Sequence, residues 1–138
     1  MIVGCLTTSF KKELLLGTHA FGTDTFKIAL YSSSADINTT TTAYTTTGEV
    51  TGTGYTAGGA TLTVVTPTTD GTVALVDFSD VTWSTATITA RAALIYNSSK
   101  SNKSVAVLDF GSDRVKTAAD FTITFPPPDR YDAIIRIA

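Results

Sequence analysis

The chain has little of what most catalytic and metal-binding sites are built from. Its 138 residues include one cysteine, Cys5, and one histidine, His19, and only 16% of them are charged. A single cysteine excludes an intrachain disulfide, and one cysteine with one histidine is too few for a Cys/His zinc site. No apolar run approaches the roughly 20 residues that a membrane-spanning helix needs. We therefore expect Cys5 to be a small buried hydrophobic residue, and we expect no membrane partner.

Charge and length limit the class of protein further. The formal net charge is −2, and the ten Lys and Arg residues are scattered along the chain, whereas nucleic-acid-binding domains are usually basic and have their cations clustered. The lysines near the N-terminus follow the first apolar residues, which does not fit a signal peptide. We predict a single domain over residues 1–138, with no nucleic-acid partner.

Alternating apolar residues dominate residues 86–110. Ile88, Ala90, Ala92, Leu94 and Tyr96 share one face at period two, and the polar residues 97–104 separate them from a second alternating segment at residues 105–110. This pattern predicts an antiparallel β-hairpin at the centre of the fold.

Further short alternating segments surround this hairpin. We predict strands at residues 25–31, 49–51, 60–65, 73–78, 81–83, 120–125 and 133–137, a turn at residues 67–71 and a polar loop at residues 111–119. The three prolines at residues 126–128 end the strand before them, because proline has no backbone donor. The sequence therefore predicts an all-β protein, an antiparallel and jelly-roll-like β-sandwich of about eight strands.

One helix is predicted, at residues 7–16, within an N-terminal helix-and-loop region of residues 1–22. Thr8 or Ser9 can be its N-cap, and Gly17 is suited to the C′ position that ends it. Phe10 and Leu14 lie one turn apart and form a short apolar face. This face either covers the chain's own sandwich or packs on a neighbouring subunit, and the sequence leaves both open.

Residues 32–59, called the arm below, are rich in threonine and glycine and show no apolar periodicity. Segments of this length inside compact domains are usually functional or disordered. Tyr44, Val50 and Tyr55 are spaced along the arm like anchors. The arm is either an extended segment with a short strand near Glu49 or a mobile loop tethered by Tyr44 and Tyr55.

No residue pattern predicts a catalytic site, a cofactor or a metal. Most aspartates stand at strand ends and turns, where their carboxylates normally accept backbone N–H groups. The residues around Asp36 lack the glycine and distal glutamate of a calcium loop, and the glycines at residues 52–59 precede a strand rather than the helix that a phosphate loop requires. His19 has no readable Ser and Asp partners, so we expect it to form hydrogen bonds within its loop.

Four charged residues interrupt apolar strands: Asp77, Arg91, Asp109 and Arg136. Each side chain either points to solvent or forms an ion pair between strands or subunits, which would fix the register at a cost in desolvation. The sequence does not choose between these two interpretations.

Six segments, in order along the chain, resemble a family of small structural virion proteins of tailed bacteriophages. They are FKKELLLGTHAF at residues 10–21, FKIALY at 26–31, GTGYTAGG at 52–59, VDFSDVTW at 76–83, ARAALIY at 90–96 and VLDF at 107–110. Residues 126–131 depart from the family's pattern, so the resemblance implies nothing about the last loop.

The resemblance implies a capsid decoration, or cement, protein that acts as a homotrimer at junctions between major capsid subunits. It is thus expected on the capsid surface of the virion, after synthesis in the host cytoplasm. Proteins of this kind are also head or tail fibre components, so the alternative is a fibre that binds a host receptor or glycan. For the cement protein we expect Phe10, Leu14, Tyr44 and Tyr55 to contact neighbouring subunits, and alanine at Tyr44 and Tyr55 to loosen attachment to the particle without harming the fold.

Overall fold

The computed structural model describes all of residues 1–138 and consists mainly of antiparallel strands. The elements, in chain order, are β1 Cys5–Leu6, α1 Thr8–Leu15, β2 Phe26–Tyr31, β3 Ala60–Thr61, β4 Val64–Asp70, β5 Val73–Phe78, β6 Val81–Asn97, β7 Lys103–Ile123 and β8 Ile135–Ile137. One sheet has five strands in the order β1-β7-β6-β2-β3, and the other has three in the order β4-β5-β8. The predicted all-β antiparallel sandwich is confirmed. Its helix is eight residues long, and no helix is long and apolar enough to cross a membrane.

The single helix lies where the sequence predicted it, within one residue at each end. Thr7, rather than Thr8 or Ser9, is the N-cap, and its Oγ1 accepts the N–H of Phe10 at 3.4 Å. Gly17 follows the C-cap with a φ of +76°, the left-handed conformation expected at C′. The helix covers its own sandwich, because the Phe10 side chain is fully buried in the chain's own core.

The long hairpin of β6 and β7 is the largest element of the fold. Its turn is polar, as predicted, and Ser101 and Asn102 take left-handed φ values of 55° and 56° there. Both strands are longer than predicted. Residues 81–83 are the start of β6 rather than a separate edge strand, and residues 120–123 are the end of β7.

The prediction of a polar loop at residues 111–119 is wrong. These residues continue β7 and pair with β6, as in Ile88 with Lys116 and Ala90 with Arg114. All of residues 111–120 are exposed, so no apolar face produces the alternation by which a strand is recognised. Three register shifts, near Thr85, Ala118 and Gly111, follow the left-handed φ values at those residues and bend the hairpin.

Two predictions for the second sheet need correction. The strand predicted at residues 60–65 is divided, since β3 pairs with β2 whereas β4 pairs with β5. The turn predicted at residues 67–71 begins later, because Pro67 lies inside β4. It sits at the register shift between Val65 and Thr68, where the missing proline N–H breaks no regular ladder. Gly71, with a φ of +61°, forms the turn itself.

Both faces of the five-stranded sheet are covered. The cluster between the two sheets contains 20 buried residues, among them Phe26, Ile28, Phe78, Trp83 and Ile95. A second cluster on the opposite face contains eight, namely Ala29, Tyr31, Ala35, Ile37, Ala92, Leu94, Tyr96 and Val107. Ala35 and Ile37 belong to the arm and cover this face of the sheet, whereas Val50 of the arm lies in the first cluster. The arm is therefore packed against the sheet rather than projecting from it.

A register shift moves β6 from one cluster to the other. Ile88 and Ala90 lie in the first cluster with Ala93 and Ile95, whereas Leu94 lies in the second. The shift between Ala90 and Ala92 changes which face each residue presents. The prediction that Ile88, Ala90, Ala92, Leu94 and Tyr96 share one face is therefore wrong, although each of them is buried.

The four charged residues within strands have different environments. Arg91 Nε donates to Asp109 Oδ1 at 3.3 Å, an ion pair between β6 and β7 with both side chains about one-third exposed. Arg136 Nη1 donates to the carbonyls of Arg130 and Tyr131 and so holds the last loop. Asp77 is buried, and its Oδ1 accepts the N–H of Phe78 at 2.8 Å.

Asp77 should make the stability of the protein depend on pH. Its Oδ2 has no hydrogen-bond partner, and burial raises its pKa above the usual aspartate range. A group whose pKa is raised on folding contributes most below its unfolded pKa, about 4, and this contribution is lost as the pH rises through the folded value. We expect the wild-type protein to gain stability relative to Asp77→Asn as the pH is lowered from about 7 to about 4.5. Urea unfolding of both proteins measures this, and a difference that stays constant with pH would contradict it.

Candidate functional site

His19 lies in a buried polar network that fixes the ring rather than exposing it. Nδ1 accepts from Asn97 Nδ2 at 3.0 Å, and Nε2 lies 3.1 Å from Glu13 Oε1. Asn97 is oriented independently, since its Nδ2 donates to Asp24 Oδ2 at 2.8 Å and its Oδ1 accepts the N–H of Ser99. The histidine therefore carries its proton on Nε2 and ties α1 to the turn of the long hairpin. The prediction that His19 forms hydrogen bonds is confirmed, but its partners lie on α1 and at the end of β6 rather than within its own loop.

The aspartates at strand ends behave mostly as the sequence predicts. Asp80 Oδ1 accepts the N–H of Phe125 at 2.8 Å, and Asp109 Oδ1 accepts that of Gly111 at 2.9 Å. No group of three or more His, Cys, Asp or Glu side chains is placed to hold a metal ion.

The most connected polar group of the arm is the Glu49 carboxylate. It accepts hydrogen bonds from Tyr44 Oη at 2.6 Å, from Tyr55 Oη at 2.7 Å and from the N–H of Gly58 at 2.7 Å. We call Glu49, Tyr44, Tyr55 and Gly58 the Glu49 cluster. Such charge-assisted hydrogen bonds are stronger than those between neutral groups. One carboxylate therefore joins three parts of the arm.

The Glu49 cluster also fastens the arm to the five-stranded sheet. Tyr55 Oη accepts the N–H of Leu30 in β2 at 2.9 Å. Tyr96 of β6 donates to the carbonyl of Gly58 at 2.6 Å and stacks on Tyr44, with ring centroids 4.8 Å apart. Single bridges from Glu49 to Tyr31 and from Thr53 to Thr87 continue the attachment, in place of the strand predicted at residues 49–51. Of the two interpretations of the arm, the extended and anchored one describes this structure.

The tyrosines of this region should resist ionisation. Burial raises the pKa values of Tyr31, Tyr44 and Tyr55 well above the usual tyrosine range, and the Glu49 charge raises them further. Unfolded tyrosine loses its proton near pH 10, so the contribution of these tyrosines to stability should be constant below about pH 10 and fall above it. For Tyr31, which is fully buried, the expected loss is about 1.4 kcal/mol per pH unit.

Alkaline titration tests this expectation. Phenolate absorbance of these tyrosines should appear only together with the loss of the folded state, and Tyr31→Phe should reduce the slope of stability against pH. Tyrosine ionisation in a protein that is still fully folded would contradict the account.

The four predicted partner contacts have different positions. The prediction for Phe10 is wrong, because its side chain is completely buried within the chain and has no surface to offer. Tyr44 and Tyr55 are half-buried and use their hydroxyl groups within the arm. Because alanine at either tyrosine would remove these contacts, we now expect such variants to lose stability rather than to leave the fold intact. Leu14 is half-buried and lines an open groove.

This groove, called the Leu14 groove below, lies between α1 and the three-stranded sheet. It has a volume of about 130 Å³, and seven of its eight lining residues are hydrophobic. Its lining includes Leu14, Phe21, Pro67, Ala74, Leu75 and Ile137. Close to it, Leu15 is 90% exposed, Leu16 is 70% exposed and Ile137 is 56% exposed. Exposed apolar groups gathered in this way are typical of interaction surfaces.

The last loop, residues 126–132, is the other conspicuous outward feature. Asp129 Oδ1 accepts the N–H groups of Tyr131 and Asp132, both at 2.8 Å, and Asp70 Oδ2 accepts that of Arg130 at 3.1 Å. The Tyr131 side chain is 66% exposed, with the Arg130 guanidinium 4.9 Å from its ring centroid. The loop thus presents a tyrosine and an arginine on a fixed backbone.

Sequence reasoning did not identify Glu49 or Tyr131 as important. Glu49 has a signal in the sequence, because it is the only charged residue between Asp36 and Asp70. Tyr131 has the three prolines before it and two aspartates beside it, a composition typical of a rigid turn.

Comparisons of the chain with protein-family models, with curated proteins and with solved structures found no match.

Proposed function

We propose that this chain is a structural protein of a bacteriophage virion that decorates and stabilises the capsid at junctions of major capsid subunits, as a homotrimer. The six segments that resemble small virion proteins of tailed bacteriophages support this proposal. The observation that carries it is the run of exposed leucines at the end of α1, where Leu15 is 90% and Leu16 is 70% exposed. When a partner covers exposed apolar side chains of this kind, their removal from water makes binding more favourable.

The physical basis of such a role is preferential binding to the assembled shell. A protein that binds only the assembled form stabilises it by mass action, and a multimer that contacts several subunits adds avidity. A rigid protein suits this role, because little conformational entropy is lost on binding. The arm meets this condition, since the Glu49 cluster holds it against the sheet.

Imaging of the assembled particle tests the proposal. Many copies spread over the head are expected, each with the end of α1 against the capsid. A few copies at the tail would instead support the alternative, a fibre that binds a host receptor or glycan. Absence of the chain from the particle would contradict both.

A variant can locate the contact. Leu15→Asp should weaken attachment to purified particles at least about 10-fold, since a charge would enter the apolar contact. The matched control is Val115→Asp, because Val115 is also exposed, at 63%, but lies on β7 rather than on α1. Equal effects of the two substitutions would remove α1 from the contact.

A further inference from the structure

The Leu14 groove has the size of one aromatic ring. Its volume is about 130 Å³ and its lining is almost wholly hydrophobic. An engineered apolar cavity of about 150 Å³ in another protein binds benzene. The groove is open to solvent, and its lining includes Leu14 on α1 and Ala74 on β5. A ring entering from outside would therefore meet apolar walls without any rearrangement of the core.

The chain itself carries one aromatic side chain that is free to enter such a groove. Every phenylalanine, tyrosine and tryptophan except Tyr131 is buried or half-buried. The backbone of Tyr131 is held by Asp129 and by Arg136, which donates to the carbonyls of Arg130 and Tyr131. An aromatic side chain fixed in this way loses little entropy on binding, and tyrosine and arginine are the residues that most often dominate interfaces.

Tyr131 does not occupy the groove of its own chain. Its loop is tied to the turn between β4 and β5, where Asp70 accepts the N–H of Arg130, while its ring is exposed and stacks with the Arg130 side chain. Within one chain the Tyr131 ring is therefore exposed and the groove is left without an occupant.

Charge favours a second copy of the chain as the occupant. Asp132 is exposed beside Tyr131, and Lys11 is exposed on α1. Lys11 lies one helical turn before Leu14, so the two residues are neighbours on the helix surface. A Tyr131 ring that enters the groove of another copy would bring Asp132 towards Lys11, which places opposite charges at the rim of the contact.

We propose that the Leu14 groove is a self-association site that receives Tyr131 of a second copy of this chain. The contact supplies the self-interaction that the proposed homotrimer needs, and the inference rests on that part of the proposed function. Each copy both gives a ring and receives one, so the contact can be repeated around a closed ring of subunits.

The first test is the mass of the purified chain in solution, measured by sedimentation equilibrium without any capsid protein. We expect the wild type to self-associate. We expect Tyr131→Ala to weaken the association at least about 30-fold, because it removes the aromatic anchor. Ala74→Arg should have a similar effect, since Ala74 is exposed within the groove and a long side chain there would fill it. Val115→Ala is the control for loss of an exposed apolar group and should change nothing.

Complementation between the two variants makes the test specific. The Ala74→Arg chain keeps its Tyr131, and the Tyr131→Ala chain keeps its groove, so a mixture should form a heterodimer although neither variant associates alone. Circular dichroism of each variant checks that it is folded. A monomeric wild type, or a mixture that fails to associate while both variants are folded, would overturn the inference.

Failure of the self-association proposal can be distinguished from failure of the proposed decoration function. Self-association is measured on the isolated chain, whereas the Leu15→Asp experiment measures attachment to the capsid. A wild type that attaches to the capsid but stays monomeric would refute the groove as a self-association site and leave the decoration role intact.

Discussion

Gly59→Ala should reduce the free energy of unfolding by about 3–5 kcal/mol, the sum of a backbone overlap and a left-handed conformation. Gly59 has a φ of +79°, and a Cβ added there would meet the carbonyl group of Ile28, whose carbon lies 2.6 Å away, and Ala29 Cα at 2.8 Å. Both neighbours are backbone atoms of the central sheet and cannot move aside as a flexible side chain can. The arm would have to leave the sheet at the point where it meets β2.

Gly17→Ala is the matched control. Gly17 has nearly the same φ, +76°, but a Cβ there would have nothing within 4 Å. Only the left-handed conformation then counts, and the expected cost is about 1 kcal/mol. Urea unfolding of the two variants separates the contributions, and equal losses would show that the arm does not pack closely on Ile28.

Glu49→Ala should cost about 3 kcal/mol of unfolding free energy or more, since three donors lose their acceptor at once. Two of the donors are tyrosine hydroxyl groups and the third is the N–H of Gly58, which is buried. Tyr44→Phe removes one of these hydrogen bonds and keeps the ring, so it should cost about 1.5 kcal/mol. Tyr55→Phe should cost more, because the N–H of Leu30 then loses its acceptor as well.

Two further variants make the Glu49 result interpretable. Glu49→Gln should have an intermediate effect, because the amide oxygen still accepts while the amide nitrogen faces the remaining donors. Asp113→Ala removes an exposed carboxylate from β7 and should change the stability by less than about 0.5 kcal/mol. If Glu49→Ala reduced the unfolding free energy as little as Asp113→Ala, the Glu49 cluster would not be the group of contacts that holds the arm against the sheet.

Local signals in the sequence were sufficient for the helix and most of the hairpin. A threonine cap, an apolar pair one turn apart and a glycine in the C′ position define α1 with little help from the rest of the chain. The strands at residues 25–31 and 73–78 also matched, since each is buried on at least one face. The prediction of a loop at residues 111–119 is wrong because it relied on the absence of apolar alternation there. Backbone pairing with β6 forms a strand there although no face of it is buried.

The arm shows the limit of sequence reasoning more clearly. The prediction that Tyr44 and Tyr55 hold the arm in place is confirmed. The sequence does not show, however, which groups the two side chains contact. The answer depends on Glu49, which accepts both hydroxyl groups, and on Tyr96, which comes from a strand about 40 residues further along the chain. Long-range contacts of this kind follow from the packing of the whole sheet and not from local pattern.

The position of the arm also changes which surfaces can serve docking. With the arm packed against the sheet, the prominent outward features are the end of α1, the Leu14 groove and the Tyr131 loop. All three are formed by residues 10–21, the second sheet and the last loop, and none includes a residue of the arm. We therefore expect partners to bind at these three features and the arm to provide structural support.

Native-state amide hydrogen exchange of the arm tests this central claim most directly. The N–H of Val50 donates to Leu30, and that of Gly58 donates to Glu49. Both amides should exchange about as slowly as those of β2 and β6, and Glu49→Ala should speed the exchange of Gly58 more than that of the strands. Rapid exchange throughout residues 32–59, while β2 and β6 stay protected, would mean that the arm is a mobile loop and would contradict the account.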